Sequence, residues 1–196
     1  MKHIKVAYFL GRLHRGGMET LLLDLLQQET PLQTLLLYRE EGNMSDLFKA
    51  TGVKTLRVES RPGLDLRFLR RLRRILREEG VDVVHAQHPL EAAHARIATV
   101  ATGVKIAETL HGYDFGLSRR GTAIMKWMLK RAHLNIFVSK TQQEYYLKKY
   151  RLPDDRRQAV VYNGVRFAKL GGAGAGPPAA PARRGGGRGG RRPARR

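Results

Sequence analysis

Cysteine is absent from the 196-residue chain, so disulfides, thiolate metal sites and cysteine nucleophiles are excluded, and a reducing cytoplasm is the expected compartment. Long apolar runs are absent too. None approaches the roughly 18–20 residues that a membrane-spanning helix requires, so any meeting with a membrane is expected at its surface. The opening stretch, MKHIKVAYFLGRLHRGG, pairs a basic start with a short apolar run, but no small-residue cleavage site follows; it is read as a strand, not as a signal peptide. Negative charge is scarce, with 17 acidic against 37 basic residues.

The last 26 residues, Gly171 to Arg196, contain only Gly, Ala, Pro and Arg, seven of them Arg, with no acidic or aromatic residue. Such a segment has almost nothing to bury against the entropy of ordering it and is expected to be disordered. Two origins fit its composition. A broken reading frame near Leu170 would append GC-rich coding noise to a longer protein; a native Arg/Gly-rich arm would bind nucleic acid. RNA-binding arms usually interleave Phe or Tyr, so the first origin is preferred and a nucleic-acid partner is not expected. Without the seven arginines the body keeps 30 basic and 17 acidic residues, a charge of +13 that favours phosphates, nucleic acid or an acidic membrane surface without choosing among them. The expected organisation is one domain over residues 1–170 and a disordered tail over 171–196.

The body alternates. The apolar run Ile4 to Leu10, ended by Gly11, reads as a strand buried on both faces. After the loop Gly11 to Gly17, Leu21, Leu22, Leu25 and Leu26 mark a helix from Met18 to Gln28. Further strands are expected at 34–38, 53–58, 81–86, 105–110, 134–138 and 159–162. Helices are expected at 45–50, 64–79, 91–102, 122–131 and 141–150. This rhythm specifies an α/β fold, an open parallel Rossmann-like sheet with helices on both faces. Ligands of such sheets bind beyond the carboxyl ends of the strands, which singles out Gly11–Gly17, Ala86–Pro89, His111–Phe115, Ser139 and Asn163.

The first of these loops, G-R-L-H-R-G-G, has Walker A spacing from Gly11 to Gly16, but Gly17 and Met18 stand where Lys and Ser or Thr are needed. The G-x-G-x-x-G pattern is missing as well. What remains is a glycine pair at a helix N-terminus, open either to an anion or simply to a tight turn. Four histidines, His14, His85, His88 and His111, stand on or near the ligand face. His85 and His88 have the look of a metal pair but lack a third ligand at useful spacing, so no metal site is expected. His111, followed by Gly112, can point into the crevice or serve as a cap. Asp154 and Asp155 are adjacent, and no Asp-x-Asp occurs to hold a divalent metal. Glu19 in the first helical turn suits the helix dipole. Between Asp65 and Glu79, Phe68, Leu69, Leu72, Ile75 and Leu76 form one stripe among Arg67, Arg70, Arg71, Arg73, Arg74 and Arg77. Such a helix packs through its stripe and shows arginine to water, or meets anionic lipid with those arginines.

Five segments in order, R-G-G-M-E-T at 15–20, V-D-V-V-H-A-Q-H at 81–88, T-L-H-G at 109–112, F-V-S-K at 137–140 and V-V-Y-N-G-V at 160–165, resemble the N-terminal half of family 4 retaining glycosyltransferases of the GT-B type. The match covers about residues 3–167 and leaves the low-complexity tail outside it. The resemblance implies one half of a GT-B fold, the acceptor-side domain, with Gly16 and Gly17 against the phosphate and sugar of a nucleotide-sugar donor. It implies that His111 is the catalytic candidate, reaching toward the donor sugar, and that Asn163 and Gly164 open an interdomain linker. It implies no cofactor and no required metal.

The family's other domain supplies a basic pair for the leaving diphosphate and two glutamates seven residues apart that hold the donor. No such glutamate pair occurs in this sequence. The expectation is a domain inactive alone, whose parent transfers a sugar with retention to a glycan or lipid-linked acceptor, peripherally at the inner face of the membrane. The alternatives are a basic nucleic-acid-binding protein and a nucleotide-sugar 2-epimerase; R-G-G-M-E argues against the latter.

Overall fold

A computed structural model describes residues 3–61 and 65–164 of the chain. In order, the elements are β1 (Lys5–Arg12), α1 (Gly17–Leu26), β2 (Gln33–Glu40), α2 (Ser45–Lys49), β3 (Lys54–Arg57), α3 (Leu66–Glu78) and β4 (Val83–Ala86). They continue with α4 (Pro89–Ala98), β5 (Lys105–Leu110), α5 (Arg119–Arg131), β6 (Leu134–Phe137), α6 (Lys140–Tyr150) and β7 (Gln158–Val160). All seven strands pair in parallel in the order β3-β2-β1-β4-β5-β6-β7. The chain thus moves outward from β1 in one direction, then returns to its other side at β4. The gap between β1 and β4 is the topological switch point, where the loops leaving the two strands diverge and open a crevice.

The continuous apolar run of β1 is explained by burial on both faces. Val6, Tyr8 and Leu10 pack with Leu22, Leu23 and Leu26 of α1 and Phe48 of α2. The alternating residues Ala7 and Phe9 pack with Phe68, Leu72 and Leu76 of α3 and the alanines of α4. A third cluster joins Leu110 and Phe137 to Met125 and Leu129 of α5 and to Tyr146 and Tyr150 of α6. Helix α4 lies between α3 and α5 on one side of the sheet. Its alanines bring it close to the strands, and Ala92 and Ala95 are fully buried.

Element boundaries move where a cap or a partner strand sets them. Strand β1 does not stop at Gly11, because Arg12 still pairs with Glu40 of the longer β2. The α4 pattern starts two residues before its expected position, because Pro89 fills a first-turn site where no N–H is needed. Ser118 and Ser139 cap α5 and α6 by accepting from Gly121 N at 3.2 Å and Gln142 N at 3.1 Å. Each cap draws its helix start earlier than the apolar spacing suggests. Asp65 caps α3, accepting from Phe68 N at 3.0 Å, so that helix starts at Leu66, later than expected; the expected start at Leu64 lies outside the described residues. The chain divides after Asn163 into one compact unit and a second running from Gly164 to Arg196. Only Gly164 of the second unit is described, so the boundary expected at 170 and the disorder expected of the tail lie outside the described residues.

Candidate functional site

Three strand ends carry the candidate residues. Beyond β1, the loop to α1 is held from the side by the loop after β2. Leu13 N donates to Glu40 O, Met44 N to Leu13 O, and Arg15 N to Asn43 Oδ1 at 2.8 Å. Gly42 makes this approach possible, since a Cβ there would lie 2.2 Å from Leu13 O. Helix α1 then starts at Gly17 with Gly16 as its N-cap and no side-chain cap, leaving its first N–H groups facing the crevice end. The Glu19 carboxylate folds back toward Gly16, as the dipole favours. Around Gly17 there is open space: no heavy atom stands within 4 Å of a Cβ built there. Neither packing nor a left-handed backbone demands glycine at position 17.

Beyond β4 and β5, two polar side chains meet. His111 Nε2 lies 2.9 Å from Gln87 Oε1. Gln87 Nε2 donates to His85 O, so its oxygen is the atom facing His111, and it accepts the Nε2 proton. Nδ1 of His111 is left as an acceptor. Burial, and then the charge on His88, lower the His111 pKa from its ordinary 6.5, which favours this neutral form. Sequence reading singled out His111 but not Gln87, although Gln87 sits between two of the marked histidines. His85 turns away from any metal partner: it lies 2.8 Å from Thr109 Oγ1, and burial pushes its pKa down to about 4. His88 caps α4 instead, with Nδ1 3.3 Å from Leu90 N and 3.4 Å from Glu91 Oε2. His14 is exposed on the first loop. Among the described residues no three His, Asp or Glu side chains converge.

Two anchors beneath the loops were invisible in the sequence. Asp114, three residues past His111, is buried and accepts from Tyr145 OH at 2.7 Å, from Lys149 Nζ at 2.9 Å and from Tyr150 OH. Burial alone would raise its pKa; Lys149 and the two phenols outweigh that and hold it below the usual carboxylate range. Gly112 O accepts from Gln142 Nε2 at 2.9 Å and from Tyr146 OH at 3.0 Å. The loop after His111 is thereby tied to α6 at both ends, with Tyr113 and Phe115 left exposed and stacked 5.2 Å apart. The second anchor is the ion pair of Arg39 Nη2 with Glu91 Oε1 at 2.8 Å, where Glu91 is 2% exposed. It passes under Gly11, where a Cβ would sit 3.0 Å from Glu91 Oε1. Glu108 of β5 is 1% exposed, neither of its oxygens has a partner, and burial pushes its pKa up to about 8. Burial thus favours its uncharged form.

Helix α3 buries its stripe and exposes Arg67, Arg70, Arg71, Arg73, Arg74 and Arg77. The six are not equivalent. Arg73 Nη1 donates to Ala98 O at 3.1 Å and Val100 O at 2.7 Å, capping the end of α4, and Arg74 Nε lies 3.9 Å from Glu78 Oε1. Arg73 therefore has a structural post. Asn163 and Gly164 are exposed and follow β7 outside any element.

This parallel sheet, with its switch point and its flanking helices, has the architecture of one half of a GT-B enzyme. Solved structures bear the fold out. Anabaena HepE in complex with UDP-glucose shares it at TM-score 0.71 and 18% identity, over 85% of this chain and 45% of that one. The lipopolysaccharide outer core galactosyltransferase WaaB shares it at 0.64 and 18%, over 84% and 47%. A UDP-N-acetylglucosamine 2-epimerase does so at 0.61 and 13%, over 83% and 49%. The chain thus spans less than half the length of each, and a fold common to transferases and an epimerase does not fix the reaction. At the level of sequence, the family model of Glycosyltransferase Family 4 matches residues 10–169, and the chain belongs to that family. No curated protein matches its sequence.

Proposed function

We propose that the chain is the N-terminal, acceptor-side domain of a retaining glycosyltransferase that moves a sugar from a nucleotide-sugar to a glycan or lipid-linked acceptor. One observation supports this most: a helix N-terminus without a side-chain cap and an oriented imidazole stand at the same end of the sheet. Strands β1 and β5 are separated only by β4, so the strand ends that lead to the Gly16–Gly17 turn and to His111 are two strand spacings apart, about 10 Å. The free N–H groups of Gly17 and Met18, with the α1 dipole, would meet phosphate oxygens. His111, with its proton held by Gln87, would accept from a sugar hydroxyl through Nδ1.

The leaving diphosphate gathers charge as the glycosidic bond breaks, and fixed N–H groups and cations stabilise it. The helix N-terminus supplies part of that field. The family's basic pair and spaced glutamates, not encoded here, would supply the rest, and with no Asp-x-Asp in the sequence we propose no metal requirement. Asn163 and Gly164 would begin the connection between domains. HepE was solved with UDP-glucose, which makes that compound a reasonable probe. Titration of the isotope-labelled chain with millimolar UDP-glucose should shift the amide signals of Gly17 and Met18 and the ring signals of His111. If all three stay in place, the assignment of this site is wrong.

A further inference from the structure

At the opposite end of the sheet, where β5, β6 and β7 begin, a cavity of about 540 Å³ is walled almost entirely by cations. Arg96 comes from the last turn of α4, Lys105 opens β5, Lys130 and Arg131 end α5, and Arg156 and Arg157 precede β7. Only Arg157 has a carboxylate, Asp155 at 3.0 Å. Among the described residues Arg96, Lys105, Lys130, Arg131 and Arg156 form no ion pair.

The ends of α4 and α5 carry partial negative charge, which accounts for basic residues in their last turns. It does not account for Lys105 or Arg156, which lie on no helix, nor for Arg96 Nε, which is closed to solvent without a hydrogen-bond partner. The cations act on one another's surroundings. His133, whose Nδ1 accepts from Ile106 N at 3.0 Å, is lowered from its ordinary pKa by burial and then by the charges of Lys105 and Arg96. Like charges gathered in one concavity focus a positive field that an anion would relieve.

We propose that this cavity binds an oligophosphate, two or more neighbouring phosphate groups, either free in solution or on a lipid headgroup. Guanidinium groups match phosphate oxygens in pairs, and the volume falls in the range of about 300–1,000 Å³ found for ligand sites, well beyond one phosphate. Strand β5, six residues long, separates this cavity from the His111 crevice by about 20 Å. Its occupant does not compete with a donor there.

The test titrates the full chain with inorganic pyrophosphate by calorimetry, beside the double variant Arg96→Gln/Arg131→Gln and the control Lys126→Gln/Lys148→Gln, two exposed lysines outside the cavity. The arginine tail is present in all three. The cavity variant should bind at least tenfold more weakly and the control within twofold of the unaltered chain, with the Gly17 amide signal unmoved as the cavity fills. Vesicles of phosphatidylcholine containing phosphatidylinositol 4,5-bisphosphate, whose headgroup carries neighbouring phosphates, form the second arm. A tenfold loss of adsorption in the cavity variant, with little pyrophosphate binding by any form, assigns the headgroup as ligand. Equal binding by the cavity variant and the unaltered chain in both arms overturns the proposal. Should circular dichroism show that variant to be unfolded, Lys130→Gln/Arg156→Gln replaces it, since both side chains are exposed.

Discussion

Gly17 is the residue whose identity the fold explains least. It opens a helix, has nothing near its absent Cβ and does not need a left-handed backbone. Gly17→Ala should therefore stabilise the chain, by about 0.4–1 kcal/mol through the unfolded state, or about 1–4 °C in a melt, while weakening the UDP-glucose response of the Met18 amide. A destabilised variant would show that the open space is not real. Glu108 makes a pH prediction. Its pKa is raised from 4.5 to about 8, so the stability it contributes is complete below pH 4.5 and lost as pH rises through 8. His85, held at about 4, works in the opposite sense: its contribution is present above 6.5 and lost as pH falls through 4. Above pH 6.5 Glu108 is thus separable from it. Urea denaturation from pH 6.5 to 8 should show stability falling by up to about 1.4 kcal/mol per pH unit from this group, and Glu108→Gln should flatten that slope. Identical slopes would mean that Glu108 ionises freely.

Among the elements, α6 carries the functional loop. Its residues Gln142, Tyr145, Tyr146, Lys149 and Tyr150 hold the segment from Gly112 to Asp114. Replacing Asp114 by Asn removes the charge that collects three of these donors, and should cost about 1–3 kcal/mol, the range for a buried group that loses its hydrogen-bond complement, since Lys149 itself is partly exposed. It should also broaden the His111 ring signals, which a purely global loss of stability would leave sharp well below the melt. Helix α3 divides its arginines between structure and solvent. Each basic residue near an anionic surface contributes about 1 kcal/mol, screened over roughly 8 Å at physiological salt. The variant with Arg67, Arg70, Arg71 and Arg74 changed to Gln should lose at least tenfold in adsorption to anionic vesicles at low salt. Arg73 is left in place because it caps α4. Undiminished adsorption would confine α3 to its packing role. Among the described residues no helix is long and apolar enough to cross a membrane.

For the whole molecule, the decisive fact is that the chain spans about 45–49% of its structural neighbours. A transferase cleft needs groups on both of its walls, and the spaced glutamates are not in this sequence. The purified chain, incubated with nucleotide-sugars and lipid or glycan acceptors, should show no sugar transfer above buffer. Measured turnover would mean that these residues complete a site among themselves.

The fold class was legible in the sequence because burial on both faces leaves an unmistakable mark. The short apolar runs in β1 and β2, bounded by turns, mark strands covered on both faces, and the intervening helical stripes place the covers. The placement of the glycine pair and of His111 at strand ends was legible because Gly11 and Leu110 close apolar runs. Strand order was not, since parallel neighbours are chosen by crossovers and nothing local tells β4 to return beside β1. Nor were Gln87, Asp114, the Arg39–Glu91 pair and the basic cavity. Each depends on side chains brought together from distant parts of the chain, the pairs ranging from 24 residues apart for Gln87 and His111 to 52 for Arg39 and Glu91. The sequence by itself determined which segments are strands and helices, through hydrophobic period and capping residues. Only the tertiary structure decided which polar groups meet, because a hydrogen bond or an ion pair is set by distances of a few ångströms that no spacing along the chain encodes.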